Sequence, residues 1–385
     1  MGVVACVEDL RKQMQRRVPR MFYDYCESGS WTESTFHANE TDLQDIKFRQ
    51  RVAIDVSERS TAMKMLGEEL PMPVALAPTG LTGMQHADGE ILAAQAAEAF
   101  GVPFTLSTMS ICSIEDVAAN TSKPFWFQLY VMRDRNFIRN LVERAKAANC
   151  SALMITLDLQ IMGQRHKDVR NGLSAPPKMT LGNMMNLATK PSWCLGMLCT
   201  KRREFRNIVG HVEGVKDMSS LADWTVSQFD PRLSWDDVAE IRRMWDGKVI
   251  LKGILDAEDA KQAVNVGADA IVVSNHGGRQ LDGAASSIAA LPAIVDAVGD
   301  KTEVWMDGGI RTGQDILRAV ALGARGTLIG RAFLYGLGAG GREGVTRVLE
   351  ILHKELDLTM ALCGRSKLSE VDDSILLKQT GPARP

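Results

Sequence analysis

The sequence predicts an α/β fold, a (β/α)8 TIM barrel with an N-terminal helical extension and a long insertion after strand 4. From about residue 70, short apolar runs typical of buried strands alternate with helical segments, and the alternation occurs eight times. This order indicates a parallel sheet, and eight strands close into a barrel of about 250 residues. The competing fold is an open, doubly wound sheet, but no Gly-x-Gly-x-x-Gly motif follows the first strand.

The first four strands come before the insertion, and helical segments separate them. Ser113 begins one of these helices with two acidic residues in the first turn, where the helix end is positive. The predicted strands are 74–77, 103–107, 125–130 and 152–156, and the predicted helices are 88–100, a short one from 113, and 136–148.

The last four strands follow the insertion with the same alternation. Asp256 again places an acidic residue at the start of a helix. The predicted strands are 249–252, 270–274, 303–306 and 326–329, and the predicted helices are 235–245, 256–266, 287–298, 312–322 and one running through Leu334.

We expect the chain to form a single domain in which the barrel is flanked and interrupted by other segments. A loop as long as the insertion usually acts as a lid or as a contact surface. The predicted parts of the domain, 1–385, are an extension over 1–70 (helices at 9–17 and 19–26, then extended chain), the barrel over 71–340 with its insertion at about 159–234, and a C-terminal helix and tail over 341–385.

Composition excludes several functional classes. The formal net charge of −2 argues against a nucleic-acid binder, and the seven scattered cysteines favour reduced thiols over a disulfide framework or a metal site. The first residues do not have the pattern of a secretory signal, and no apolar run approaches the roughly 20 residues that span a bilayer. The sequence therefore predicts a cytoplasmic protein.

The insertion contains a candidate membrane contact at 184–203. The apolar stretch 193–198 is followed by Lys201, Arg202 and Arg203, and apolar residues beside basic ones suit an anionic membrane surface. Peripheral contact with the inner face of the cell membrane is one interpretation of this segment. A lid packed on its own barrel is the other.

The loop after the sixth strand, 274–283, is the most informative part of the chain. His276 can exchange a proton near neutral pH, and the guanidinium of Arg279 matches a carboxylate. A base and a carboxylate ligand in one glycine-rich loop indicate an enzyme that deprotonates a small carboxylic acid. Asp158, after the fourth strand, could hold the second ring nitrogen of His276, and Arg165 could share the carboxylate with Arg279.

Other polar residues stand at the strand ends, where barrel enzymes carry their active sites. Lys252 ends a core strand, and because burying an unpaired ammonium is costly, we expect it to face a negative charge such as that of a reduced flavin. Neutral groups that could bind the polar edge of a flavin are Ser107, Gln128 and Thr156, and the remaining strand-end residues are Tyr130 and Ser274.

The ends of the last two strands indicate a phosphate site. Glycines let backbone N–H groups approach an anion, and a helix N-terminus adds positive potential. The backbone after the first strand could lie against a flat ligand. The phosphate candidates are Asp307, Gly308, Gly309, Arg311, Gly330 and Arg331, and the residues after the first strand are Pro78, Thr79 and Gly80.

These residues and motifs resemble the FMN-dependent α-hydroxy-acid oxidizing enzymes, a family that includes glycolate oxidase and the lactate and mandelate dehydrogenases. The resemblance runs from about Asp9 to Leu368. Its motifs are Tyr23-Asp24-Tyr25, Ala77-Pro78-Thr79-Gly80, Phe127-Gln128-Leu129-Tyr130, Leu251-Lys252-Gly253, Ser274 through Asp282, and Asp307-Gly308-Gly309-Ile310-Arg311.

The resemblance implies a role for each matched position. His276 is similar to the family's general base and Asp158 to its carboxylate partner, while Tyr25 and Tyr130 resemble the hydroxyls that orient the substrate. Arg165 and Arg279 resemble the ligands of the substrate carboxylate. The implied contacts of FMN are Pro78, Thr79, Gly80, Ser107, Gln128, Thr156, Lys252, Ser274, Asp307, Gly308, Gly309, Arg311, Gly330 and Arg331.

The implied reaction is oxidation of an L-2-hydroxy acid to the 2-oxo acid, with electrons passed to a quinone or a cytochrome. Gly80, the insertion and the stretches around 72–78, 101–108 and 272–283 are most similar to the bacterial respiratory dehydrogenases that oxidise L-lactate. Thr79 and 160–162 depart from that group. A soluble oxidase that uses O2 is the alternative, and a flavin-barrel isomerase and a non-catalytic scaffold are more remote ones. By analogy with the family, we expect a homotetramer.

Overall fold

Eight parallel strands close into a barrel, as the sequence predicts. The computed structural model describes residues 3–173, 180–212, 215, 224 and 228–377. The sheet runs in chain order, and a parallel bridge between Leu76 and Phe104 joins its two edges. After a hairpin of β1 (Met63–Met65) and β2 (Glu68–Leu70), the barrel strands are β3 (Val74–Leu76), β4 (Thr105–Ser107), β5 (Trp126–Tyr130), β6 (Ala152–Thr156), β7 (Lys248–Ile254), β8 (Ala270–Val273), β9 (Glu303–Asp307) and β10 (Gly326–Ile329).

Helices cover the outside of the barrel. Side-chain caps begin several of them: the hydroxyl of Ser113 accepts the N–H of Asp116, and that of Thr312 accepts the N–H of Asp315. The helices outside the insertion are α1 (Val7–Arg17), α2 (Arg20–Cys26), α3 (Ser34–Asp45), α4 (Thr82–Gln85), α5 (Gly89–Phe100), α6 (Ile114–Ala118), α7 (Arg135–Ala147), α11 (Trp235–Met244), α12 (Ala257–Asn265), α13 (Ser287–Val298), α14 (Gly313–Ala321) and α15 (Arg331–Leu362), where α15 breaks at Gly340 and Gly341.

The N-terminal extension differs from the sequence prediction in one element. The chain after α2 is helical over Ser34–Asp45, where we expected an extended segment. The buried residues of α3 are Thr35, Phe36, Asn39 and Leu43. Two of these four are polar, so the hydrophobic periodicity that identifies an amphipathic helix is weak here.

The barrel interior is packed separately from the layer of helices around it. Trp126 on β5 and Trp305 on β9 stack in the interior, with ring centroids 5.4 Å apart. The hairpin closes the bottom of the barrel, because Met65 packs there against Gly326, the first residue of β10. The opposite end, at the carboxyl ends of the strands, stays free for a site.

In the described part of the insertion, two helices pack on the rest of the protein with one side and expose the other. The insertion contains α8 (His166–Arg170), α9 (Leu181–Ala188) and α10 (Pro191–Cys199). The Trp193 ring stacks on Phe22, and its indole N–H donates to the carbonyl of Met84 at 2.9 Å. The apolar side chains on the other side of α9 and α10 are exposed, namely Leu181, Met184, Met185, Leu195 and Leu198. Within the predicted insertion at about 159–234, residues 174–179, 213–214, 216–223 and 225–227 lie outside the described residues.

Among the described residues, no helix is both long and apolar enough to cross a membrane.

The hairpin contribution to stability is testable at Met65, which is 1% exposed. Met65→Ala leaves a cavity at the barrel bottom, so we expect the free energy of unfolding to fall by about 2–5 kcal/mol in urea denaturation. Met185→Ala removes the same atoms from a side chain that is 65% exposed and serves as the control. Equal effects of the two substitutions would contradict the packing role of the hairpin.

Candidate active site

A cavity of about 690 Å³ opens at the carboxyl ends of the barrel strands. This is the end at which barrel enzymes place their catalytic groups, and the volume is in the range of small-molecule sites. The predicted site residues that line it are Tyr25, Pro78, Thr79, Gly80, Tyr130, Arg165, Lys252, His276, Arg279, Asp307, Gly308, Gly309, Arg311, Gly330 and Arg331.

His276 and Asp158 form the hydrogen-bonded pair that the sequence suggested. Asp158 Oδ1 lies 2.8 Å from His276 Nδ1. Burial alone would raise the pKa of Asp158, but the nearby His276 and Lys252 outweigh it and the pKa is lowered, so the carboxylate is ionised. Because an ionised carboxylate only accepts, Nδ1 carries the proton of this hydrogen bond, and in the neutral form of the imidazole the lone pair is at Nε2, where a substrate can reach it.

Two half-buried guanidiniums meet at the Tyr25 ring. The Cζ atoms of Arg279 and Arg165 lie 4.6 and 5.7 Å from the ring centroid. Arg165 Nε donates to Asp168 Oδ2 at 2.5 Å, whereas Arg279 donates to Tyr25 and Ser28 and has no carboxylate partner among the described residues. Burial and then repulsion by Arg165 lower the pKa of Arg279 to about 10. The excess positive charge suits a small carboxylate.

Tyr130, at the end of β5, brings a second hydroxyl to this part of the cavity. Burial is the main cause that raises the pKa of Tyr130, with the neighbouring Tyr25 and Asp158 adding to it. The phenol therefore keeps its proton at neutral pH and can donate a hydrogen bond.

The ammonium of Lys252 contacts two residues from other strand ends and is stabilised by the charge of a third. Its ammonium lies 3.0 Å from Asp307 Oδ2 and donates to Ser274 Oγ at 2.9 Å. Burial alone would lower the pKa of Lys252, but Asp307 and then Asp158 raise it, so the side chain is charged. The expected negative partner is thus supplied in part by the protein itself.

Polar atoms on β5, β6 and β9 fit the polar edge of a flavin. Gln128 Nε2, Thr156 Oγ1 and Asp307 Oδ1 are buried and make no hydrogen bond within the described part of the chain. Ser107 Oγ donates to Gln128 Oε1 at 3.0 Å, which fixes the amide with its N–H groups free. Buried donors and acceptors are normally satisfied, so the unpaired atoms fit a ligand with both kinds of group, as the flavin of FMN has.

The predicted phosphate site combines glycine turns with two arginines. Gly308 and Gly309 have φ values of 98° and 83°, and a Cβ at Gly309 would stand 2.0 Å from the carbonyl oxygen of Asn39. Arg311 pairs with Glu40 at 2.8 Å, and Arg331 donates to the carbonyls of Cys26, Ser28 and Gly277. Gly330 is the residue before α15, whose N-terminus adds positive potential.

Sequence reasoning missed several residues of the cavity. Asp168, the partner of Arg165, is three residues further along the chain, a spacing that could have suggested the pair. The apolar lining comes from separate loops and helices and has no signal of its own in the sequence. It includes Phe22, Leu81, Met84, Leu159, Val169, Leu173, Phe205 and Phe229.

The fold and the cavity define a flavin-dependent barrel oxidoreductase. The family model of the FMN-dependent dehydrogenases matches residues 14–378. The chain belongs to this family and uses FMN as its cofactor to oxidise a 2-hydroxy acid.

Curated relatives cover almost the whole chain. An L-lactate dehydrogenase of Caulobacter vibrioides is 45% identical over 379 residues, which is 98% of both chains. An L-lactate dehydrogenase of Vibrio cholerae is 44% identical over 378 residues, 98% of this chain and 100% of the relative.

Solved structures share the fold throughout. The monotopic membrane protein (S)-mandelate dehydrogenase is 35% identical with a TM-score of 0.94, covering 98% of this chain and 100% of that one. A mandelate oxidase is 36% identical with a TM-score of 0.80, covering 95% and 96% of the two chains.

The Lys252–Asp307 pair gives a stability prediction. Asp307→Asn leaves a buried ammonium with less compensation, so we expect the free energy of unfolding of the FMN-free protein to fall by about 3 kcal/mol. Urea denaturation measures this fall without a contribution from flavin affinity. Glu258→Gln makes the same change in the exposed pair with Lys261 and should cost less than about 1 kcal/mol. A loss at Asp307 no larger than at Glu258 would refute the pairing.

Proposed function

We propose that this enzyme oxidises L-lactate, and that His276 is its general base. The observation that carries the proposal is the His276–Asp158 pair, 2.8 Å long, beside two guanidiniums of which only Arg165 has a carboxylate partner in the described chain. A base and an anion site in one cavity fit a substrate that carries a carboxylate and an adjacent C–H or O–H to be deprotonated.

Each side chain has one task in the proposed mechanism. Arg279 and Arg165 bind the substrate carboxylate, and the hydroxyls of Tyr25 and Tyr130 orient the 2-hydroxyl group. His276 takes a substrate proton at Nε2, and Asp158 stabilises the imidazolium through Nδ1. A bound FMN would supply the redox chemistry, taking up the two electrons and the second proton that leave the substrate. The product is the 2-oxo acid.

The same geometry supports the roles proposed for the flavin-binding residues. Lys252, Gln128 and Thr156 would bind the polar edge of the ring system, and the backbone after β3, at Pro78, Thr79 and Gly80, would lie against it. The phosphate would lie at the glycine turns of 308–309 and at the start of α15, near Arg311 and Arg331.

The apolar lining favours a second candidate substrate, a 2-hydroxy acid with a longer or aromatic side chain. Met109, Met162 and Phe205 line the cavity together with other apolar side chains. Methionine adapts its shape to different partners, so this lining could enclose more than the methyl group of lactate. The mandelate dehydrogenase and oxidase among the structural neighbours agree with a larger substrate.

The substrate is tested by anaerobic reduction of the flavin. We expect L-lactate to bleach the absorbance near 450 nm and D-lactate to leave it unchanged, and a panel with (S)-mandelate and longer 2-hydroxy acids ranks the candidates. His276→Ala should slow bleaching by about 10³-fold with FMN still bound, since the variant lacks the base. His37→Ala, at an exposed histidine of α3, is the control. Rapid bleaching of His276→Ala would refute the assignment of the base.

We propose a quinone or a cytochrome as the electron acceptor, with O2 as the alternative that defines an oxidase. The relatives named dehydrogenases support the first choice. Comparing reoxidation of the reduced enzyme by a quinone and by air separates them. A tetramer stays a prediction from the resemblance.

We further propose that α9 and α10 contact the membrane from the cytoplasmic side. Leu195 and Leu198 are 63% and 70% exposed, and the basic residues Lys201 and Arg203 follow them. Apolar side chains flanked by cations suit the interface of an anionic bilayer. The solved neighbour described as a monotopic membrane protein supports this proposal.

Vesicle binding tests the membrane proposal. Leu195→Glu with Leu198→Glu replaces apolar contacts by charges that an anionic surface repels, so we expect binding to phosphatidylglycerol vesicles to fall at least about tenfold in a sedimentation assay. Leu358→Glu with Leu362→Glu, at leucines 48% and 59% exposed on α15, is the matched control. Equal binding by the two double variants would exclude this surface as the membrane contact.

A further inference from the structure

The loop that carries His276 has an unusual backbone. His276, Gly277 and Gly278 follow one another with φ values of 57°, 66° and 72°, all in the left-handed region. Glycine adopts this conformation without steric cost, but a residue with a side chain does not. The surrounding structure must therefore hold His276 in this conformation.

Asn275 holds the loop from one side. Its side-chain oxygen accepts the N–H of Gly278 at 3.0 Å, and its backbone carbonyl accepts the same N–H at 3.1 Å. The turn is thereby closed around His276 and Gly277. On the other side, the N–H of His276 donates to Ser274 Oγ at 3.1 Å.

Asn39 of α3 in turn fixes the side chain of Asn275. The two amides bond reciprocally: Asn39 Nδ2 donates to Asn275 Oδ1 at 2.9 Å, and Asn275 Nδ2 donates to Asn39 Oδ1 at 2.8 Å. Both residues are buried, with exposures of 2% and 4%. The N–H of Ser287 also donates to Asn39 Oδ1, at 3.2 Å, so the amide of Asn39 has a single orientation.

The space around this amide pair leaves little room for rearrangement. A Cβ at Gly278 would lie 2.5 Å from Phe36 Cα, and a Cβ at Gly308 would lie 3.2 Å from Asn39 Oδ1. The N–H of Ser30 also donates to the carbonyl of Gly278 at 2.9 Å. The segment from Ser30 to Asn39 thus packs directly on the loop of His276, and Asn39 is a buried residue of this segment that hydrogen-bonds to the loop.

We propose that Asn39 is a positioning residue for the oxidation step, which it serves through Asn275 by keeping the backbone of His276 left-handed and its imidazole on Asp158. Asn39 lies outside the barrel and does not line the cavity. The inference rests on the proposed role of His276 as the base. Without the amide pair, Asn275 loses one acceptor and one donor, and the turn around His276 can relax.

The test separates the two halves of the catalytic cycle in the holoenzyme. In Asn39→Ala we expect flavin reduction by saturating L-lactate, followed anaerobically by stopped flow, to be slower by about 10- to 100-fold, because a small misplacement of a base is costly. Reoxidation of the dithionite-reduced enzyme by dichlorophenolindophenol does not need His276 and should stay within about twofold of wild type. A merely structural role would slow both halves together or release FMN.

Asp42→Ala is the matched control on the same helix. Asp42 accepts a hydrogen bond from Ser286 Oγ at 2.5 Å, so its truncation also removes one contact between α3 and the barrel, but this contact involves neither Asn275 nor the His276 turn. We expect both half-reactions of this variant to proceed at wild-type rates. Flavin reduction in Asn39→Ala as fast as in Asp42→Ala would overturn the inference.

The pairing itself is tested by Asn275→Ala and the double variant. If the two amides act as a unit, the double variant reduces its flavin no more than about twofold slower than the slower single variant. If the effects of the two single variants on the rate of flavin reduction multiply in the double variant, the inference is overturned.

Asn39→Asp keeps the shape of the side chain and loses the donor, and it replaces Asn39→Ala if that variant does not fold. In saturating FMN, Asn39→Asp should also slow flavin reduction. If the wild type is not reduced by any 2-hydroxy acid, the proposed function fails; if only the Asn39 effect is absent, this inference fails alone.

Discussion

The arrangement of polar groups in the cavity depends on the interactions of the buried Lys252 ammonium. The ammonium pairs with Asp307 at the end of β9 and donates to Ser274 after β8, while the carboxylate of Asp158 after β6 adds to its stabilisation. A charge this deeply buried requires all its partners in place. Because Ser274 also accepts the N–H of His276 and Asp158 binds its ring, the groups that stabilise Lys252 are those that position the proposed base.

The sequence predicted the barrel well because its signals are local. Apolar runs, helix starts and glycine turns all fall within a few residues, and the polar groups of the site stand directly after them. Strand ends brought His276, Asp158 and Lys252 together in the expected way. The sequence did not predict which partners the cationic side chains have. Lys252 pairs with Asp307, and Arg331 donates hydrogen bonds to backbone carbonyls.

The parts missed by sequence reasoning depend on contacts between distant segments. Tyr25 was found through the family resemblance alone, since its proximity to Arg279 follows from how α2 packs and not from any spacing. Helix α3 was missed because Thr35 and Asn39 occupy its buried face. These polar side chains are buried there because each has a partner on the barrel: Thr35 Oγ1 donates to Ala284, and Asn39 bonds to Asn275. The buried polar groups of such a helix find their hydrogen-bond partners only in the folded state. The sequence of the helix therefore lacks the apolar periodicity that would identify it.

The barrel and the N-terminal extension therefore determine different parts of the geometry of the site. The strands determine the positions of the residues at their ends. They do not determine the backbone conformation of a loop that leaves the strand in a left-handed turn. Asp282, at the far end of the loop, accepts the backbone N–H groups of Thr32 and Thr35, and its pKa is lowered by those and neighbouring hydrogen bonds despite the opposing effect of burial. The loop is thus bound to the extension near both of its ends, at Asn275 and at Asp282. A strained conformation persists only where its surroundings over-determine it, and here the surroundings come from outside the barrel.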